Sequence, residues 1–175
     1  MTTFHPIHFI PATRQAHILA TPITSARAVG HTQEGGTNHW CFYLETSPST
    51  SIQLDCQPSH SITSTEIPGG SKAFVIISEL DRLLSHDAET EFRLDVVPGL
   101  TVTKIIEHLT DHGRHNYEFD SNGVGCRYWV TDQINLLYEL GVFTDSSQVD
   151  AAKDGIRKLW PEKTAHPLDQ GSYYG

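Results

Sequence analysis

The stretch "NGVGCRYWVTDQINLLYEL" (residues 122–140) sets a single cysteine between a glycine-rich turn and a long run with helical spacing. Val130, Ile134, Leu137 and Tyr138 share one stripe of a helix predicted over 126–140, and Gly141 supplies its stop. Cys126 therefore stands in the first turn, where backbone N–H groups point outward and the helix dipole favours negative charge. A thiol becomes a useful nucleophile when its pKa falls from ~8.5 toward neutrality, which a helix N-terminus and a nearby imidazolium both promote. The N–H of Cys126 is also placed to hold an oxyanion. The competing reading is a small residue packed under the glycine turn.

A second stretch, "GGTNHWCFYLE" (35–45), supplies an imidazole. "NHWCFYLE" and "SIQLDCQ" flank the turn-forming "TSPST", so the pair reads as a β-hairpin. Residues of like parity share a strand face. Trp40, Phe42 and Leu44 form an apolar face, and His39, Cys41, Tyr43 and Glu45 the other. On the return strand Ile52, Leu54 and Cys56 are apolar, whereas Gln53, Asp55 and Gln57 are polar. A histidine and a row of acceptors thus share a face, as an imidazole base requires if a third group is to fix its tautomer. With a turn centred near Pro48, Asp55 and Gln57 come closest to facing His39. Asp55 carries the charge and is preferred; Gln57 would orient the ring without one. A solvated hairpin face with an incidental histidine remains the alternative.

The rest of the chain reads as one domain of 175 residues in the α+β class, strands mostly before helices. "IHFIPA", "AHILATPIT" and "ARAVGH" suggest short strands, and "KAFVIISEL" and "EFRLDVV" two more. "PGLTVTKIIEHLTDHG" opens with Pro-Gly and a Thr cap, keeps helical spacing and stops at Gly113. A third helix is expected over about 146–160, and the tail "HPLDQGSYYG" as irregular.

Bulk properties narrow the function. Apolar content of 38% and three tryptophans suit a globular fold. A formal charge of −9, with no basic run, argues against nucleic acid as partner. No apolar stretch approaches the ~20 residues that span a bilayer, and the N-terminus does not read as a signal peptide. Three cysteines at irregular spacing make no disulfide framework, so a reducing, cytoplasmic setting is expected.

Two metal readings compete. His39, Cys41, Cys56 and His60 form a zinc-like ligand set, but parity puts Cys56 on the face opposite His39 and Cys41. His108 and His112, spaced i, i+4, suit a helix C-terminus as simply as a metal. No metal or other cofactor is expected.

The order of parts resembles the circularly permuted branch of the papain-like superfamily, which includes lecithin–retinol acyltransferase and the NlpC-type proteins. The resemblance rests on "HWCFYL", a polar residue on the following strand, and a later Cys opening a helix after "RHNYEFDSNGVG". It implies a permuted papain-like fold, an antiparallel sheet packed against the helix carrying the cysteine. Carried over, it implies Cys126 as nucleophile, His39 as base, Asp55 or Gln57 as orienter, and Tyr117 near the oxyanion. The second histidine of the acyltransferases is replaced by Gln53, Asp55 or Gln57, and no membrane anchor follows the helix. Phospholipid substrates are therefore not implied. "GCRYWVTDQI" and "AAKDGIRKLWP" also make the chain similar to a family of small fungal proteins associated with polyketide pathways, in which an enzyme-bound acyl thioester joins a second chain.

A Cys–His pair that accepts an acyl group can pass it to water, an amine, an alcohol or a stabilised carbanion. The expectation is a cysteine acyltransferase acting on small acyl or polyketide substrates, with condensation as the specific outcome. A hydrolase, amidase or thioesterase is the second reading, and a non-catalytic interaction domain the third. Trp40, Trp129, Tyr128 and Phe119 are the candidates for aromatic walls near the thiol.

Overall fold

A computed structural model describes residues 3–175. The chain runs β1 (Ile7–Ile10), a single 3-10 turn (Ala12–Arg14), α1 (Gln15–Ala20), β2 (Ser25–Gln33), β3 (Thr37–Ser47), β4 (Thr50–Thr63), β5 (Ser71–Leu80) and β6 (Ala88–Leu94). It continues with α2 (Val102–Asp111), β7 (Tyr117–Phe119), α3 (Cys126–Glu139), α4 (Ser146–Ile156), β8 (Lys158–Leu159), β9 (Thr164–Ala165) and β10 (Ser172–Tyr173). Among the described residues the result is a mixed α+β fold with one large sheet and four α-helices. Sheet order is β10-β7-β5-β4-β3-β2-β6, antiparallel throughout, with β1 added parallel to β5. The small pair β8–β9 stands apart.

The alternation in β3 and β4 builds the main core. Trp40, Phe42, Leu44, Ile52, Leu54 and Cys56 are all buried on one face. α3 packs on that face through Trp129, Val130, Ile134 and Leu137. Each fully buried side chain of this size contributes roughly 1.5–3 kcal/mol. Tyr138, expected on the same stripe, is 40% exposed. The buried stripe keeps the expected Leu137 and takes in Leu136 instead, since spacings of three and four alternate on a helix.

Several other expectations change. "AHILATPIT" is not a strand: residues 15–20 form α1, which buries only Ile18 and leads the crossover away from β1. A short apolar run carries no decisive period, and here helix wins. The helix from 146 ends at Ile156 rather than near 160, and the chain goes directly into β8. The tail is ordered in part, because β10 pairs with β7 (Ser172↔Glu118, Tyr173↔Tyr117). The second face of the hairpin is not solvated: Cys41 and Tyr43 join Val29 in a small buried cluster covered by Leu80, Leu84 and Ala88. α2 matches its expected place, with the Thr101 hydroxyl accepting from Lys104 N at 3.3 Å.

Candidate active site

The β3–β4 ladder runs in register from Glu45↔Ser51 to Phe42↔Leu54 and then stops. Beyond it β3 pairs only with β2, as far as Gln33↔Thr37, and β4 only with β5. The start of α3 meets the sheet where the two strands part, and residues 123–126 share a cavity wall with His39, Gln57 and Pro58.

The chain before α3 is shaped by local chemistry. Asp120 Oδ1 accepts from the backbone N–H of Asn122 (2.8 Å) and Val124 (2.9 Å), closing a side-chain-fastened turn. Gly125, the helix N-cap, has φ 149°, a conformation side chains rarely adopt. A Cβ there would lie 3.1 Å from Tyr117 Oη and 3.2 Å from Phe119 Cδ1. The first helical bond runs from Trp129 N to Gly125 O, so the N–H groups of Cys126, Arg127 and Tyr128 have no helical acceptor. Cys126 is the partly exposed cysteine; Cys41 and Cys56 are buried, and burial pushes both their thiols well up.

His39 Nε2 lies 2.6 Å from Asp55 Oδ1. Both side chains are largely shielded, at 22% and 16% exposure. Burial alone would lower the imidazole's pKa. The hydrogen bond with Asp55 and the neighbouring Cys126 sulfur outweigh it, and His39 is held well above its usual value. With Nε2 turned to Asp55, Nδ1 is the ring nitrogen not engaged by it. Of the open choices for orienter, Asp55 makes the contact. Continuing the register three residues past Phe42↔Leu54 would bring Gln57 opposite His39, and Gln57 lines the cavity instead. Gln53 turns to Tyr43 Oη (3.3 Å) and Cys41 Sγ (3.4 Å).

Three other candidates stand elsewhere. Trp40 is fully buried in the core, stacked on Phe92 at 6.2 Å, and its indole lies so close to Gly30 that a Cβ there would sit 2.8 Å from the ring. Trp129 is equally buried and donates from Nε1 to Arg114 O at 2.8 Å. Neither forms a wall of the cavity, because their strand and helix positions face the main core. Tyr117 donates its proton to Gly125 O (2.7 Å) and accepts from Gly171 N (2.9 Å). It braces the turn below Cys126 and has no proton to offer an oxyanion. Phe119 does line the cavity, whereas Tyr128 lies beside Gln170. Cys56 faces the main core and Cys41 the smaller cluster across the sheet, so the zinc-like set does not converge.

The structure adds residues the sequence reading passed over. His31, directly opposite His39 on β2, is 5% exposed. Its Nδ1 lies 2.9 Å from His39 O and its Nε2 2.8 Å from Tyr43 Oη, so a buried polar chain backs the strand that carries His39. "ARAVGH" was legible as a strand, but nothing local pairs its histidine with His39. A strap made by the C-terminal segment is the second addition. Asn38 exchanges hydrogen bonds with Trp160 (Nδ2 to O 3.0 Å; N to Oδ1 2.7 Å), and Arg127 donates to the carbonyls of Ile156, His166 and Pro167. Neighbours in sequence of both His39 and Cys126 thus fasten the segment that brings His166 and Asp169 to the cavity.

That cavity encloses about 590 Å³. Glycines aside, only Pro58, Leu80, Phe119 and Val124 of its lining residues lack a polar side-chain atom. No helix in the described residues is long and apolar enough to cross a membrane.

No curated protein and no solved structure matches the chain. Residues 17–174 match the family described as Domain of unknown function (DUF7770), and the chain belongs to that family.

Proposed function

We propose that this protein is a cysteine-dependent acyl-transfer enzyme of permuted papain-like architecture, with Cys126 as nucleophile, His39 as base and Asp55 as orienter. The observation that carries the reading is the Asp55–His39 hydrogen bond at 2.6 Å, with the imidazole beside a partly exposed thiol at a helix start. His39 holds the thiol proton as imidazolium, and the thiolate attacks an acyl carbonyl. The N–H of Cys126 is the candidate donor to the oxyanion. Collapse expels the leaving group, which takes the proton from imidazolium, and leaves an acyl thioester. His39 then serves as base for the acceptor, and the new bond forms at the acyl carbon as the thiolate departs.

The lining combines apolar surface with many hydrogen-bonding side chains, which supports acyl substrates that carry oxygen along a hydrocarbon chain. Short β-ketoacyl and polyketide thioesters fit that description, and a stabilised carbanion as acceptor gives carbon–carbon bond formation. The same lining also admits water, which favours a hydrolase, amidase or thioesterase as the second reading. Free cysteines and a small-molecule substrate agree with a reducing, cytoplasmic setting.

The test is intact-mass spectrometry after incubation with short acyl and β-ketoacyl thioesters. Wild type should gain the acyl mass and Cys126→Ala should not. An adduct that persists in Cys126→Ala rejects the mechanism. No adduct with any donor, under rapid quench, turns the reading toward a non-catalytic interaction domain.

A further inference from the structure

Arg127 follows Cys126 directly, is 5% exposed and lines the same cavity. Buried cations are normally paired with an acid. Among the described residues no carboxylate lies within ion-pair distance of this one. Its guanidinium donates only to backbone carbonyls: Pro167 O at 2.6 Å, His166 O at 3.3 Å, and Ile156 O. Clamping carbonyls needs donors, not a charge, so a neutral amide would serve a purely structural clamp. With its fork turned to the strap, the group also has little left for bidentate capture of a substrate carboxylate. What remains unspent is a positive charge at the first turn of the nucleophile's helix.

Other titratable groups surround the thiol. From β3 come His39 and Cys41, and from β4 Asp55, Cys56 and His60. β7 contributes Tyr117, and the strap His166 and Asp169. Burial pushes Cys41, Cys56 and Tyr117 up, which keeps them neutral near pH 7. Asp55 is committed to His39. Burial works against the Arg127 charge, and Cys126 and Asp169 are the groups whose negative charge favours it.

We infer that Arg127 is a positioning residue for the nucleophile: its buried guanidinium, with no carboxylate at ion-pair distance among the described residues, supplies the fixed positive charge that favours the Cys126 thiolate. The inference rests on the reading of Cys126 as nucleophile and extends it. Asp169, on the exposed strap, opposes the effect.

The test is the pH dependence of Cys126 alkylation by iodoacetamide, located by peptide mass mapping. It needs no acyl substrate, so its failure is separate from a failure to load acyl groups. Arg127→Gln keeps amide donors for the carbonyls and removes the charge; its half-maximal pH should move upward, each unit slowing alkylation at lower pH about tenfold. Arg127→Lys keeps the charge and should stay near wild type. An Arg127→Gln profile that overlays wild type overturns the inference, whatever its melting temperature. If Arg127→Gln does not fold, replacing Arg127 by citrulline, which keeps the length and the N–H donors without the charge, decides: an upward shift supports the inference, and an unmoved profile overturns it.

Discussion

His39 Nε2 meets Asp55 Oδ1 at 2.6 Å just past the last β3–β4 pair, Phe42↔Leu54. The contact is diagonal, because directly opposite positions would have joined His39 to Gln57. It exists where the two strands separate and α3 enters. A histidine and an acid with no ladder between them are held by their separate partners, β2 and β5.

The pair has a pH signature. His39 has a folded pKa well above its unfolded value near 6.5. Its stabilising contribution is therefore complete below about pH 6.5 and declines as pH rises through the elevated value. Asp55→Asn should be less stable than wild type by a margin that is widest near pH 6 and shrinks in the alkaline range. Thermal melts of both proteins from pH 6 to 10 measure this, and a margin that stays constant with pH contradicts the assignment. In the proposed acyl transfer, His39→Ala should cost roughly 10²–10⁴-fold, and Asp55→Asn less, since the imidazole remains.

Gly125→Ala tests the turn that presents the thiol. The φ of 149° and the approach of Tyr117 Oη to 3.1 Å leave no relaxed place for a Cβ. The substitution should destabilise by about 1–3 kcal/mol and slow alkylation of Cys126 as the helix start shifts. A variant with wild-type stability and reactivity would show that the turn does not position Cys126.

Glu118 is a fully buried carboxylate on β7. It accepts from the N–H groups of Thr65 (2.8 Å), Glu66 (2.8 Å) and Ile67 (3.3 Å) and from the Thr65 hydroxyl (3.0 Å). Burial would raise its pKa, but these donors hold it below the usual value. Glu118→Ala orphans donors that each cost about 1–3 kcal/mol if left buried and unmet. Glu118→Gln, which keeps one acceptor, should lose less. Urea denaturation measures both, and a Glu118→Ala change under about 0.5 kcal/mol would mean the loop finds other partners.

Legibility in the sequence followed the range of the interaction. The extent of α3, the N-terminal position of Cys126 and the two faces of the hairpin follow from spacing alone. Spacings of three and four or of two declare a surface. Asp55 as the charged acceptor near His39 was also within reach, because a short turn constrains register. The covering of the hairpin's second face by Leu80, Leu84 and Ala88 was not, since those residues come from β5 and the segment after it.

The sequence by itself therefore determined an α+β chain, a thiol at a helix start and an imidazole beside a row of acceptors. Only the tertiary structure decided which acceptor the imidazole meets, that Trp40 and Trp129 belong to the core, that Tyr117 braces Gly125, and that Asn38 and Arg127 tie the C-terminal strap across the site. Local periodicity states which way a side chain faces. What it faces depends on where distant strands part and which segment returns to cover them, and no run of neighbouring residues encodes that.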